Sequence, residues 1–228
     1  MNIVQKLYQG DDARRTRLHD EKGNVVSPGR LIKNGSRACL TWAGGLVFDR
    51  KPELPWISYD AIEVLRRHLR KDSRVLEFGS GMSTVWYGQR ASYVRSVENF
   101  RPWFEKVGAQ IRLLKLESVD YVFTESAEEY SGAGIDLGNF DLIMIDGDFR
   151  SQCALRSIPL LAPGGILYLD NSDKDTKNDG DIRKAERICI DYARANHLHF
   201  EYYTDFAPAQ LTPNQGLLVR NSMPAERR

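Results

Sequence analysis

The segment Glu77-Phe-Gly79-Ser-Gly81-Met-Ser-Thr84 sets a carboxylate two residues before a pair of closely spaced glycines. Gly79 and Gly81 allow a tight turn and a close approach of backbone to ligand. A helix starting just beyond them offers free N–H groups. In a dinucleotide site a third glycine completes this pattern, and a pyrophosphate rests on the helix end. Here that place is taken by Thr84, and Glu77 would repel a pyrophosphate while suiting a ligand that bears an ammonium group. Glu98 lies nineteen residues past Gly79, where an acid can accept hydrogen bonds from both hydroxyls of an adenosine ribose. Taken singly, these are a tight turn and a solvated strand end. Together they describe a pocket for a nucleoside joined to an amino acid rather than to phosphates.

A second group of oxygens, Asp146, Asp170 and Asn171, falls at the ends of two apolar runs. If the runs are adjacent strands these side chains lie close together, and hard oxygen ligands suit Mg²⁺ or Ca²⁺. The simpler reading is that the two aspartates only end strands beside the pocket.

The elements that must position these groups follow from periodicity. Short apolar runs at 74–79, 93–98, 119–124, 140–146, 166–170, 199–204 and 217–220 read as strands. Between them lie helical patterns. Asp60 with Glu63 three residues on reads as a capping box, ahead of Ile62, Leu65 and Leu69 on one face. Further helices start at Met82, carry Trp103, Val107, Ile111 and Leu114, cover about 150–161, and carry Ile182, Ala185, Cys189 and Tyr192. Alternating strands and helices predict an α/β fold with a doubly wound, mostly parallel, seven-stranded sheet covered by helices on both faces. The loop 207–216 is too short for a parallel crossover, so the last strand is antiparallel. Residues 1–54 read as an N-terminal extension and partial lid, with strands near 37–42 and 46–49, and residues 55–228 as the main domain.

Val75-Leu-Glu-Phe-Gly-Ser-Gly81 resembles the first motif of class I S-adenosylmethionine-dependent methyltransferases, and Glu98 their ribose-binding acid. Phe140-Asp-Leu-Ile-Met-Ile-Asp-Gly147 is similar to their fourth-strand motif, and Leu161-Ala-Pro-Gly-Gly-Ile-Leu167 to the turn before their fifth strand. The resemblance covers roughly residues 55–221 and implies S-adenosylmethionine as methyl donor. It assigns Glu77, Gly79 and Gly81 to the methionine end, Glu98 to the ribose, and Ser126 with Ala127 to the adenine edge. Ser80, Thr84, Asn99 and Asp146 join them as expected cofactor contacts. In this fold the segment before the first helix can lie over the cofactor, which adds Ser58 and Tyr59.

Asp146, Asp170 and Asn171 resemble the Asp, Asp-Asn metal triad of catechol-type O-methyltransferases. There a cation holds the substrate hydroxyl and lowers its pKa, so Mg²⁺ or another divalent cation is a second expected cofactor. This chain departs from the pattern, because those enzymes carry a lysine directly after the first aspartate and this one reads Asp146-Gly-Asp148-Phe-Arg150. Either Asp148 or Lys174 stands in as base beside Asp146, or the metal is absent. The expected activity is O-methylation of a small-molecule or sugar hydroxyl. The rivals are an NAD-dependent oxidoreductase, which Glu77 and Thr84 argue against, a non-catalytic adenosyl- or partner-binding module, and an aminopropyl transferase of the polyamine type.

Bulk properties fit a soluble enzyme. With 42% hydrophobic and 28% charged residues the chain is globular rather than disordered. A formal net charge of +1 supplies no long-range attraction for a polyanion, so nucleic acid is not expected as partner. Cys39, Cys153 and Cys189 are scattered and form no metal or disulfide motif. No apolar run reaches the ~20 residues of a membrane span, no signal peptide is evident, and a cytoplasmic location follows. A homodimer is a further expectation. His197 and His199 read as structural, and the acidic loop around Asp173, Asp175, Asp179 and Asp181 as a solvated turn, because it lacks the glycine and glutamate of a calcium loop.

Overall fold

The computed structural model describes residues 8–48 and 52–221. Seven strands form one sheet in the order β3-β2-β1-β4-β5-β7-β6. They are β1 (Arg74–Phe78), β2 (Tyr93–Glu98), β3 (Val119–Phe123), β4 (Phe140–Ile145), β5 (Leu161–Leu169), β6 (His199–Asp205) and β7 (Asn214–Arg220). β1 to β5 pair in parallel, and β7 runs antiparallel to both β5 and β6, as the short loop before it requires. The expected turn at 163–165 lies inside β5. Phe140 pairs with Leu161 and Leu142 with Ile166, so residues 162–165 bulge out of the ladder, with Gly164 at φ +80°.

Residue parity divides the core in two, because successive side chains leave a strand on opposite faces. Val75, Leu142, Met144, Ile166, Tyr168 and Leu218 point to one face. There they meet Ile62 and Leu65 of helix α2 (Tyr59–His68) and Trp86 and Tyr87 of α3 (Met82–Gly88). Leu76, Phe78, Ile143, Ile145, Leu167, Leu169, Leu217 and Val219 point to the other. That face is covered by Tyr130 of α5 (Ala127–Ser131), Cys153 and Ala154 of α6 (Arg150–Ser157), and Ala185, Cys189 and Ala193 of α7 (Asp181–Ala195). The remaining crossover helix, α4 (Arg101–Leu113), joins β2 to β3. Glu77 shares the parity of Val75 and so faces α3. Cys153 and Cys189 are buried, whereas Cys39 is exposed.

Two local expectations are corrected. Ser58, not Asp60, caps α2, with its hydroxyl accepting from the Ala61 N–H at 3.1 Å. Asp60 instead accepts from Arg30 at 2.6 Å, and Glu63 binds Arg66 and Arg67. The strands expected near 37–42 and 46–49 are replaced by α1 (Ser36–Phe48), entered through Pro28–Arg30 and a π turn at Leu31–Gly35; residue 49 lies outside the described residues. The run Ala38-Cys-Leu-Thr-Trp-Ala43 has no alternation to sustain a strand. Tertiary bonds fix the helix instead: the Asn34 amide donates to Asp205 at 2.5 Å and Asp60 at 3.1 Å, and Arg37 lies 4.1 Å from the Tyr59 ring centroid.

Upstream, buried Asp20 accepts from Asn24, Thr204 and Gln215, while the Glu21 N–H donates to Asp173. Residues 20–24 are thereby tied to the loop after β5 and to the paired β6 and β7. Among the described residues, no helix is long and apolar enough to cross a membrane.

Candidate active site

Strand order reverses between β1 and β4, and ligands of open α/β sheets bind beyond the carboxyl ends of the strands at such a point. Backbone contact shapes the floor there. Gly79 has φ +88°, and a Cβ on it would lie 2.6 Å from Gly147 Cα at the end of β4. A Cβ on Gly147 would lie 2.0 Å from the Tyr130 hydroxyl. Only glycines let the two strand ends pass this closely. The Gly79 N–H donates to Val97 O at 3.0 Å, and the Asp146 N–H to Phe78 O at 2.9 Å, continuing the ladders into the site.

Glu77 lies fully buried beneath this loop. Three hydroxyls satisfy it: Ser83 donates to Oε1 at 2.5 Å, and Thr84 and Ser96 each donate to Oε2 at 2.6 Å. Burial pushes its carboxyl up to about 7, against the pull of these three donors. Thr84 also accepts from the Gly81 N–H at 3.0 Å and is itself fully buried. Glu77 and Thr84, expected as direct ligand contacts, are therefore internal supports of the loop. Ser83, which lines the cavity above, presents their effect to a ligand.

Glu98 is equally well satisfied. Oε1 accepts from the N–H groups of Asn99 and Phe100, and Oε2 from the N–H and hydroxyl of Ser80. The Ser80 hydroxyl lies 2.7 Å from that of Tyr121, which stacks on Phe104 at 4.4 Å between centroids, and Trp103 donates to Ser80 O at 2.7 Å. The enclosed cavity, lined by Trp56, Ser80, Gly81, Met82, Ser83, Trp103 and Asp146, measures about 80 Å³. Ligand pockets usually span ~300–1,000 Å³, so a nucleoside reaches Glu98 only if Ser80 and Trp103 shift. A larger cleft of about 520 Å³, beside His68, Arg70, Asp141 and Arg220, sits at the amino ends of the parallel strands, away from the switch point.

At the ends of β4 and β5, the Asp146 and Asp170 carboxyls lie close enough to act on each other electrostatically. Asp170 is buried, and burial together with the neighbouring Asp146 charge raises its pKa well above the ordinary range. Burial raises Asp146 as well, while Arg150 and Asp170 oppose that shift. The Asp146 side chain is 34% exposed and lines the cavity, whereas Arg150 beneath it is 11% exposed. Arg150 donates to Gly147 O at 2.8 Å, to Asp146 O at 3.1 Å, to Asp146 Oδ1 at 3.2 Å, and to Asp170 O. Nearby, Asp170 Oδ1 and the Tyr87 and Tyr168 hydroxyls are buried without a hydrogen bond.

This donor set does not fit a divalent cation. The Arg150 guanidinium already holds Asp146 Oδ1 and the Asp170 carbonyl, so a cation drawn to these strand ends would compete with a fixed positive charge. Among the described residues, no cluster of three or more His, Cys, Asp or Glu side chains could hold a metal. Of the expected triad, Asp146 and Asp170 meet at the strand ends, where Arg150 joins them. Asn171 adopts a left-handed turn conformation at φ +55°, and its carbonyl accepts from Lys174 N–H.

The other expected residues separate. The Lys174 ammonium pairs with Glu21 of the N-terminal segment. Exposed Asp148 accepts from the Asn99 amide at 2.7 Å, bridging the ends of β2 and β4. Ser126 caps α5 beyond β3, two residues past Thr124, whose N–H donates to Glu98 O; Ala127 follows it. Fully buried Ser58 serves α2 as its cap. Sequence reasoning did not single out Ser83, Ser96, Trp103 or Tyr121, whose roles depend on pairings between strands. Arg150 was noticed only as part of a mismatch.

No family model matches the sequence, and no curated protein matches it. Solved structures do match in fold. An O-methyltransferase from Bacillus cereus in complex with SAH is 16% identical, with 82% of this chain and 99% of that chain covered at TM-score 0.60. The O-methyltransferase TomG from Streptomyces achromogenes, involved in tomaymycin synthesis and solved with SAM, is 16% identical, covering 82% and 89% at TM-score 0.59. An rRNA methylase from Streptococcus thermophilus is 12% identical, covering 71% and 93% at TM-score 0.54. At this level of identity the likeness establishes the fold: the chain has the Rossmann-like fold of methyltransferases, with its reversed seventh strand.

Proposed function

We propose that this protein is an S-adenosylmethionine-dependent methyltransferase acting on a hydroxyl of a small molecule. The observation that carries the reading is the acid-flanked glycine turn at the switch point, with Glu77 beneath it and Glu98 beside it. Glu77 lies beneath that turn and Glu98 beside it, and among the described residues no cationic side chain lines its cavity, which suits the ribose and ammonium of the donor and disfavours a pyrophosphate. That distribution weakens the oxidoreductase reading. The solved neighbours named for O-methylation support the reaction class. The rRNA methylase of the same fold means that the acceptor class rests on this chain's own charge, and a net charge of +1 favours a small molecule over a polyanion.

In this reading Glu98 binds the ribose hydroxyls after the Ser80 hydroxyl yields its place. Ser126 and Ala127 edge the adenine, and Ser83 with the Gly81 backbone meets the methionine end. The acceptor oxygen attacks the methyl carbon in line. The C–O bond forms as the S–C bond breaks, S-adenosylhomocysteine leaves as a neutral thioether, and Asp146 takes the acceptor proton. Alignment of donor and acceptor supplies most of the rate, with proton acceptance by Asp146 adding to it.

Thermal-shift scans with S-adenosylhomocysteine and with NAD separate the cofactor classes: stabilisation by the first alone is expected, and stabilisation by NAD alone overturns the reading. Incubation with isotope-labelled donor and a panel of hydroxylated small molecules should then place label on oxygen. Label found only on nitrogen or carbon refutes the acceptor assignment.

A further inference from the structure

We propose that the Arg150 guanidinium takes the place of a divalent cation at the ends of β4 and β5, so that Arg150 positions Asp146 and the site works without metal. The role given to Asp146 rests on the methyltransferase reading, whereas the exclusion of a cation rests on geometry alone.

Four oxygens converge on this one side chain: the carbonyls of Asp146, Gly147 and Asp170, and Asp146 Oδ1. Three are main-chain carbonyls and one is a carboxylate oxygen, all hard donors of the kind Mg²⁺ or Ca²⁺ binds at ~2.0–2.6 Å. An ion at those distances would have to displace the guanidinium. Arginine stays protonated at any working pH, and its planar fork can serve several acceptors at once. The charge it supplies is therefore permanent and fixed in direction.

The placement of Arg150 runs against local preference. It is the first residue of α6, where the helix dipole disfavours a cation. Phe149 before it takes a left-handed conformation, φ 52° and ψ 35°, with its ring edge-on to Tyr130 at 5.7 Å between centroids. A non-glycine residue in that region is strained. Both costs are offset where the guanidinium ties the two strand ends together. Asp146 is the member of this group that meets the cavity, so Arg150 acts on a bound acceptor through Asp146 rather than by touching it.

The experiment is a Mn²⁺ titration followed by electron paramagnetic resonance on the wild type, Arg150→Ala and Arg150→Lys. S-adenosylhomocysteine calorimetry accompanies it, in Mg²⁺ and in EDTA. The wild type should show no Mn²⁺ site tighter than about 1 mM, the weak end of protein cation sites, and its calorimetric affinity should agree within twofold in the two buffers. Arg150→Ala should uncover the oxygens and gain a Mn²⁺ site that the further change Asp170→Asn removes, whereas Arg150→Lys should remain indifferent to metal. One tight Mn²⁺ per wild-type chain, lost in Asp170→Asn, overturns the proposal. Failure of Arg150→Ala to gain Mn²⁺ overturns the claim of replacement. If Arg150→Ala does not fold, the wild-type and Arg150→Lys titrations decide. Absence of S-adenosylhomocysteine binding in the wild type would instead count against the methyltransferase reading, and the Mn²⁺ titration would still report on Arg150.

Discussion

The two halves of the site are built by different means. At the ends of β1 and β2 the backbone determines the shape: Gly79 packs against Gly147, and Glu77 and Glu98 have both oxygens satisfied by fixed neighbours. At the ends of β4 and β5 charge determines it. Arg150 binds Asp146 beside the buried Asp170 carboxyl, and Asp170 Oδ1 and two tyrosine hydroxyls are buried without a hydrogen bond. The first half is suited to a ligand of constant shape. The second holds unsatisfied polar groups buried behind Asp146, which alone among them meets the cavity. A buried unsatisfied group costs stability, and such groups gather where structure gives way to function.

That contrast breaks most sharply at Gly79. Gly79→Ala must place a methyl group 2.6 Å from Gly147 Cα at φ +88°, so a loss of about 3–4 kcal/mol in chemical denaturation is expected. A loss below 1 kcal/mol would mean that the strand ends are not held together by backbone contact. Next in size is Glu77. Burial raises its folded-state pKa from 4.5 to about 7, so the folded protein holds a proton that the unfolded chain releases between these values. The Glu77 contribution to stability is therefore fully present below pH 4.5 and is lost, by up to about 3 kcal/mol, as pH rises through 7. Denaturation of Glu77→Gln at several pH values should lack this slope. The same slope in both proteins would assign it to another group.

Lys174→Ala should have the smallest effect. Its ammonium pairs with Glu21 away from Asp146, so S-adenosylhomocysteine affinity should change less than about twofold, and stability by less than about 1 kcal/mol, as for partly exposed ion pairs. A collapse of methyl transfer with affinity unchanged would restore Lys174 as the base.

The same contrast explains what could be read from sequence. The sheet, its reversed β7 and the glycine turn follow from alternation, loop length and glycine spacing, which are local properties of the chain. Glu98 was legible because its distance from Gly79 is set by one strand–helix–strand unit. The inward turn of the Thr84 and Ser58 hydroxyls, which cap their helices, is not legible, since spacing gives position along an element but not which way a hydroxyl points. α1 is harder to read, because its short apolar run has no strong period of its own and the bonds from Asn34 to Asp60 and Asp205 that fix the turn before it span distant parts of the chain. Arg150 was the largest omission. Its role depends on strands β4 and β5 meeting and on the left-handed Phe149 that aims it, neither of which has a signature in the sequence.

The most direct test is calorimetry with S-adenosylhomocysteine on the wild type and on Glu98→Ala. Two hydrogen bonds from ribose hydroxyls to a carboxylate together contribute about 3 kcal/mol, equivalent to roughly 100-fold in affinity. Micromolar binding by the wild type, weakened about 100-fold by the substitution while the fold is retained, is the expected result. No heat from the wild type, or equal affinity in both proteins, would contradict the assignment of a cofactor site to the acid-flanked turn.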